Sequence, residues 1–562
     1  MWAVKVCAEG LVLLEGVVIR QRLIYQAPQT PPILPGGRLL TLPPWGTVWC
    51  FPWADHDRII AALPGIVERV PQPILQALQT PIDPPIPRRL PASLEATLYP
   101  YQRAGVDWVI ARGGRGLLAD AMGLGKTLQG LALLAHYSHI RPAVIVCPPS
   151  VRASWVHHIR EHLHEEPIVL KNSKTPWGSG IHVVSYGLVT RLPPFTPRFL
   201  LVDEAHYARH ITSQRTRALL KWAGSAPHVV LLSGTPLNRP LELYAQLRMV
   251  APRLFPHFFH FNPKRPAHGV LLKDQPEPER LWFAARYCAP QWKKGRCGRM
   301  EFDFRRSDNE AELHAVLTHQ VLLRRTKEEV LQELPPKTRE QVHLDDVKEA
   351  QGATLTPDFH RDSDFLAAVR STAELKRPLV QAYVAEVLRP WLAADPGLKV
   401  LLWGHHHAML DMLAEGWGDD ECVCIDGRTP TAARGALIEK FQTQPQVRVA
   451  VLGILAVGAG VTLTAATLAL FCELALTPSE LEQAEDRLHR VGQHSPVTVR
   501  YLILPHSTDE VIWRLLGAKK RTSTYILEGR SDATWKARRT EAAAAAVAVA
   551  PTPHWDTLLN DL

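Results

Sequence analysis

The chain has 562 residues, 46% hydrophobic and 21% charged, with a formal charge of +9 and a pI near 9.1. That length suits three or four domains with ample core, and the basic balance favours a polyanionic partner, most simply nucleic acid. Eight scattered cysteines with no Cys-x-x-Cys pair argue against a structural zinc site and for a reducing compartment. Glu9 and Glu15 interrupt the N-terminal apolar stretch, so no signal peptide is expected. The longest bland run, Ala542–Ala550, is too short to cross a bilayer. The expectation is an intracellular protein, cytoplasmic or nucleoid-associated in a prokaryote or virus and nuclear in a eukaryote.

Residues 1–91 are rich in proline and tryptophan. β-like runs such as Leu11–Arg20 and Thr47–Phe51 are broken by Pro-Pro, Gly-Gly and Pro-Trp-Gly signals, which predicts a small β-rich accessory region. A proline-rich connector, Pro81–Pro91, closes it. Over 92–345 short apolar runs alternate with helical stretches: Gly116–Ala119, Ala143–Cys147, His182–Ser185, Phe199–Val202 and His228–Leu232. Runs apolar on both faces suit strands of a buried parallel sheet with helical crossovers. A polar linker is expected over 346–372. A second series occupies 373–528: Lys399–Trp403, Cys422–Ile425, Val447–Leu452, Leu468–Cys472 and Val497–Leu504. The predicted fold is α/β, with two tandem parallel-sheet lobes behind a small β-rich N-terminal region. The Ala-rich tail over 529–562, basic at its start, reads as flexible.

The run Asp120-Ala-Met-Gly123-Leu124-Gly125-Lys126-Thr127 follows an apolar strand and leads into a helix predicted over Thr127–Tyr137. That context suits a phosphate-binding loop. Gly123 and Gly125, flanking Leu124, let backbone N–H groups turn inward; Lys126 would reach the β- and γ-phosphates of ATP, and Thr127 would hold Mg²⁺. The strict pattern has glycine where this chain has Asp120. A second strand ends in Asp203-Glu204, which delivers two carboxylates to the sheet edge where ligands bind in such folds. Asp203 suits Mg²⁺ through water, and Glu204 suits polarising the attacking water.

Further on, Gln483-Ala-Glu-Asp-Arg487-Leu-His-Arg490-Val-Gly-Gln493 places two arginines three apart, predicted on one helix face with a Val-Gly-Gln turn ending the helix. Arginine is permanently charged and presents a rigid fork of donors, which suits a phosphoryl group in transit. Together with Lys126, Asp203 and Glu204, the pair Arg487 and Arg490 is expected to complete one ATPase site.

These motifs resemble the Swi/Snf-type branch of the superfamily-two helicase-like ATPases. The resemblance implies that Gln102, in Leu98-Tyr-Pro-Tyr-Gln102-Arg, reads adenine. It implies that Pro148 and Ser150, then Ser185 and Tyr186, touch a DNA strand. Ser233-Gly234-Thr235 resembles the motif coupling hydrolysis to movement, and Gln483 joins it in that role. Ile425-Asp426-Gly427 and Gly458-Ala-Gly460-Val-Thr462 resemble second-lobe segments facing DNA and nucleotide, with Thr462 on the DNA side. Within the family the chain is similar to the HARP-like annealing helicases. The stretches that carry this are Ser233–Tyr244, Arg286-Tyr287-Cys288, Leu323-Arg324-Arg325-Thr-Lys327, Leu334-Pro-Pro-Lys337 and Gly404–His407. Departures are Ala121, where the family usually has an acid, and Leu476-Thr477-Pro478, where it has an aromatic before Asn-Pro or Asp-Pro. The N-terminal likeness to a HARP domain is confined to Thr47–Leu63. The implied activity is ATP-dependent translocation on duplex or branched DNA, independent of sequence, with annealing or fork remodelling as its output. The alternative is a strand-separating DNA or RNA helicase.

A basic and aromatic insertion is expected over about 253–308. Arg286, Lys293, Lys294, Arg296, Arg299, Arg305 and Arg306 are interleaved with Trp282, Tyr287, Trp292, Phe302 and Phe304, against only Glu301 and Asp303. Basic side chains neutralise phosphates while aromatics pack or stack, so Lys293, Lys294, Arg296 and Arg299 are candidate DNA contacts. His157, His158, His162 and His164 can be assembled into a metal site on paper, but without a third ligand type at ligand spacing a surface helix is the expected reading. His405–His407 is expected at a turn, with no metal.

Overall fold

Strands apolar on both faces and crossover helices build a parallel sheet in each of two units. The computed structural model describes residues 2–7, 10–19, 22–26, 38–42, 46–62, 67–68, 70–84, 86–256, 283–294, 300–331, 333–344, 362–418, 420–456, 461–530 and 538–539. One unit comprises Met1–Ala121, Gly125–Arg325 and Arg521–Asp532; the other is built on Thr326–Lys520 with Met122–Leu124.

At the N-terminus lies a mostly antiparallel sheet of β1 (Trp2–Cys7), β2 (Gly10–Ile19), β3 (Arg22–Gln26), β4 (Arg38–Leu42), β5 (Gly46–Phe51) and β6 (Val67–Glu68). Its order is β4-β5-β2-β1-β6, with β3 on β2.

The first unit's main sheet uses β7 (Arg115–Leu118), β8 (Ala143–Cys147), β9 (Ile168–Val169), β10 (Ile181–Ser185), β11 (Phe199–Asp203) and β12 (His228–Leu232). A hairpin, β13 (Gln291–Lys294) and β14 (Met300–Asp303), precedes a last short strand, β15 (Leu322–Leu323). The order is β15-β7-β12-β11-β8-β10-β9, every pair parallel. Fully buried residues such as Leu117, Ile145, Leu201 and Val230 show why these strands carry no polar alternation: helices cover both faces.

The second sheet contains β16 (Lys337–His343), β17 (Val400–Gly404), β18 (Cys422–Ile425), β19 (Val449–Gly453), β20 (Leu468–Phe471), β21 (Val497–Ile503) and β22 (Arg538–Arg539). Their order is β18-β19-β17-β20-β21-β16-β22, again parallel.

All ten expected core strands form, within a residue or two of their predicted ends. Two differences follow from chemistry. β16 reads Lys-Thr-Arg-Glu-Gln-Val-His and has no apolar run, yet it pairs along its whole length with β21. The expected first-lobe limit at 345 therefore lies past a strand of the second sheet, and the contact division falls at Arg325 instead. The expected linker over 346–372 is in part a helix, Asp362–Tyr383, with Phe365 buried; residues 345–361 lie outside the described residues. The helix Thr508–Glu528 ends where the second lobe was expected to end, but its residues from Arg521 belong to the first unit. Most of the tail lies outside the described residues. Among the described residues no helix is long and apolar enough to cross a membrane.

Candidate active site

β7 ends at Leu118, and the loop after it enters the helix Lys126–His136. Gly123 and Gly125 sit at φ +83° and +67°, which L side chains rarely adopt. At Gly125 an added Cβ would also meet Gln102 Nε2 at 2.3 Å. Leu124 between them is fully buried, and Thr127 on the first helical turn is half-buried. Lys126 Nζ donates to the carbonyls of Asp120 (2.8 Å) and Ala121 (3.2 Å). Burial lowers its pKa, against the pull of Glu204 and Asp120.

Asp120 explains its own departure from the strict loop pattern. It is fully buried and accepts from Arg325 Nε (2.9 Å), Arg325 Nη2 (2.5 Å) and Gln129 Nε2 (2.9 Å). Arg325 also donates to the Tyr101 carbonyl, so one guanidinium ties the loop to the segment carrying Gln102. Its neighbour Arg324 donates to the carbonyls of Ala119 (2.8 Å) and Gly234 (3.0 Å) and pairs with Glu528 (3.0 Å). These two arginines brace the loop, a role that sequence reasoning did not give them.

Asp203, the last residue of β11, accepts from Trp155 Nε1 (2.8 Å) and from the Glu204 backbone N–H (2.9 Å). Burial and the adjacent Glu204 carboxylate push its pKa up to about 7. Glu204 adopts φ +51°, a left-handed conformation uncommon for a non-glycine residue. The Tyr186 hydroxyl donates to the carbonyls of Asp203 (2.7 Å) and Glu204 (3.0 Å) and so holds this turn. Glu204 Oε2 lies 3.3 Å from His206 Nδ1, which is 3.3 Å from Ser233 Oγ. Ser233 follows β12 and is buried; Thr235 donates its backbone N–H to Ser233 Oγ (3.3 Å), and Arg324 holds Gly234 between them. Lys126, the two carboxylates and Ser233 thus stand at the C-terminal ends of β7, β11 and β12, neighbours in one parallel sheet. Gln102 is buried, its Oε1 accepting from the Tyr99 N–H (2.9 Å) and its Nε2 3.5 Å from the Gly125 carbonyl.

Asp203, Glu204 and Thr127 offer oxygen donors alone, the chemistry that suits a hard divalent ion such as Mg²⁺. Burial first, and the Glu204 charge second, raise Asp203 against the opposing pull of Lys126. The residues fit the ion.

In the second unit the arginines are not on a helix face. The helix Pro478–Glu485, capped by Thr477 and carrying half-buried Gln483, stops before them, and Asp486–Val491 runs through turns. The carboxylates at its end are taken from outside the helix. Glu485, fully buried, accepts from Arg339 Nε (2.7 Å), Arg339 Nη2 (2.6 Å), Lys337 Nζ (2.7 Å) and the Tyr501 hydroxyl. Asp486 pairs with Lys327 (2.6 Å), whose Nζ also donates to the His489 carbonyl. The turns still bring Arg487 Nη1 and Arg490 Nη1 to one carbonyl, that of Val461, at 3.4 and 3.1 Å. Gln493 closes the segment, Nε2 donating to the carbonyls of Thr464, Ala466 and Leu488. Sequence reasoning missed Glu485, Lys337 and Arg339; the available signal was a Glu-Asp pair immediately before the arginines.

The expected DNA contacts divide. Ser150 is exposed on the turn after β8; Ser185 ends β10 and Thr462 lies in a loop, both half-buried. Pro148 is buried, and Tyr186 is only 4% exposed with its hydroxyl spent on the Asp203–Glu204 turn, so Tyr186 is corrected to a positioning residue. Lys293 and Lys294 lie in β13; Arg296, Arg299, Trp282 and Gly458–Gly460 lie outside the described residues. Arg286 is drawn into a pair with buried Glu312 (2.6 Å) and Arg305 into one with Asp303 (3.0 Å), which removes both from a free basic track. Trp292 stacks on Phe302 at 4.0 Å and remains 40% exposed.

The family described as SNF2-related domain matches residues 101–374, and that described as helicase conserved C-terminal domain matches 382–492. The chain belongs to the SNF2-related helicase family. It is 33% identical to the mouse "DNA annealing helicase and endonuclease ZRANB3" over 79% of this chain and 42% of that protein. It is also 33% identical to a Caenorhabditis elegans protein named "SWI/SNF-related matrix-associated actin-dependent regulator of chromatin subfamily A-like protein 1 homolog", over 81% of this chain and 64% of that one. The chain thus spans about half the length of the curated relatives it matches. Among solved structures, the Sulfolobus solfataricus SWI2/SNF2 ATPase core in complex with dsDNA is 22% identical, covers 81% of this chain and 96% of its own, and has a TM-score of 0.35. This SNF2-related chain carries both matched domains, one after the other.

Proposed function

We propose that the protein is a DNA-dependent ATPase that couples hydrolysis to movement along duplex or branched DNA, without sequence preference, in the compartment that holds the DNA. The observation that carries this is the alignment of Lys126, Asp203, Glu204 and Ser233 at neighbouring strand ends of a chain in the SNF2-related family. Lys126 and the backbone of Gly123–Gly125 would hold the phosphates of ATP, and Gln102 the base side of the nucleotide. Asp203 and Thr127 would hold Mg²⁺, which when bound offsets negative charge on the phosphates. Glu204, held by Tyr186 and His206, orients the attacking water. Arg487 and Arg490 stabilise charge as it develops in the transition state, an effect on turnover rather than binding.

Ser233–Thr235 communicates the state of the nucleotide to segments on DNA. Ser150, Ser185, Thr462, Lys293 and Lys294 are proposed to meet backbone phosphates, which makes binding salt-sensitive. The relatives' names point to strand annealing as the output. Phosphate release measured with duplex DNA, forked DNA, single strands and RNA, alongside annealing of complementary strands, tests the proposal. Strongest stimulation by duplex or forked DNA with annealing is expected; preferential stimulation by RNA, or strand separation without annealing, would refute it in favour of a strand-separating helicase.

A further inference from the structure

The helix Arg152–Leu163 carries a second cluster of ligand-bearing side chains. Its rotation is fixed by Trp155 and Ile159, both buried, with Trp155 held by Asp203. Residues three and four apart share a helix face. His158 and His162 therefore lie at the margin of the buried stripe, side-chain exposure 32% and 14%, while Glu161 projects beside them at 50%. The third ligand type that the histidines lack in a simple count is this glutamate, in the pattern His158-x-x-Glu161-His162.

One ligand atom from each of the three lies within 4.8 Å of the others. Glu161 Oε2 is 3.7 Å from His158 Nδ1 and 3.7 Å from His162 Nε2; His157 Nε2 lies 3.3 Å from it on the open side. Donors about 2.0–2.1 Å from a tetrahedral ion are separated by about 3.4 Å, so only small side-chain rotations are required. The imidazoles of His158 and His162 already stack, centroids 5.7 Å apart at 18°. His158 Nδ1 is shielded from solvent with no hydrogen-bond partner among the described residues. A shielded ring nitrogen facing a carboxylate and a second imidazole is a donor with an unmet need.

We propose that His158, Glu161 and His162 form a binding site for a borderline divalent metal ion such as Zn²⁺, with the fourth position taken by water or His157. Two or three imidazoles and one carboxylate suit Zn²⁺ and discriminate against Mg²⁺, which prefers oxygen ligands and keeps its waters. The site is thus chemically separate from the all-oxygen set at Asp203. An ion here bridges one turn of the helix whose Trp155 holds Asp203, so occupancy stabilises that helix.

The test is calorimetric titration of the metal-stripped full chain with Zn²⁺ in millimolar Mg²⁺. One ion per chain is expected, and His158→Ala/His162→Ala should weaken affinity at least about a hundredfold, roughly 2.7 kcal/mol. Glu161→Gln, which changes no packing, should weaken it at least about tenfold. Zn²⁺ should raise the unfolding temperature of the wild type but not of the double variant. Co²⁺ should give the visible spectrum of a four-coordinate nitrogen–oxygen site. No saturable Zn²⁺ binding by the wild type, or affinity unchanged in both folded variants, would overturn the proposal.

Discussion

The two units treat buried carboxylates in opposite ways. In the first, Asp203 and Glu204 stand side by side, and Asp203 is raised to about 7 because burial and a like charge oppose its ionisation. In the second, Glu485 accepts from two basic side chains and a tyrosine, and Arg339 and Lys337 hold it well below the usual carboxylate range despite burial. A site prepared for a cation from solution leaves its negative charge uncompensated; an anchor supplies its own cations. The first arrangement is the one proposed for chemistry, and the second fixes the chain that carries Arg487 and Arg490.

Replacing Lys126 by alanine removes the ammonium that folds back onto the Asp120 and Ala121 carbonyls, and phosphate release should fall by at least roughly 10³-fold. Near-normal turnover would break the first half of the comparison. Glu485→Gln leaves Arg339 and Lys337 without their buried counter-charge. Urea denaturation should show a loss of ~3–5 kcal/mol confined to the second unit's transition, and a loss below 1 kcal/mol would mean that the cluster is no anchor.

The opposite charge states give opposite pH dependence. Asp203 is raised, so its contribution to stability is present at low pH and is lost as pH rises from about 4 to about 7. Glu485 is depressed, so its contribution is present above the ordinary carboxylate value and is lost as pH falls below it. His489 sharpens this: burial and Lys337 lower it to about 4, and its contribution is lost as pH falls from 6.5 toward 4. Acid unfolding followed by hydrogen exchange should open the second unit first. Binding of Mg²⁺-nucleotide near pH 6.5 should release a proton that Asp203→Asn does not release. The smallest effect belongs to Trp155→Phe, which keeps the packing and deletes one hydrogen bond to Asp203, about 1 kcal/mol. Its signature is a shift in the Asp203 titration rather than unfolding.

Where a residue's place is the end of an apolar strand, the sequence already told it. Lys126, Asp203, Glu204 and Ser233 all stand at or just beyond runs whose period and length were unmistakable. The ten strands were legible for the same reason, since burial on both faces leaves few polar residues in most of these runs. β16 was not legible, because Lys337 and Arg339 turn toward a glutamate nearly 150 residues away, and that partner gives the local pattern no reason to look like a strand. The arginine segment was misread as helix because Arg-x-x-Arg spacing mimics one face, while the helix ends at Glu485 and Asp486 just past it pairs with Lys327. Tyr186 was expected on a DNA strand only through the family resemblance; its hydroxyl is used inward.

The central claim is that Arg490 acts on the transition state of ATP hydrolysis rather than on nucleotide binding. The direct measurement is DNA-stimulated phosphate release by wild type and Arg490→Ala, paired with the affinity of each for a fluorescent ATP analogue. The account predicts a fall in turnover of roughly 10³-fold or more with affinity changed less than about fivefold. Turnover within tenfold of wild type, or a loss of affinity matching the loss of turnover, would contradict it.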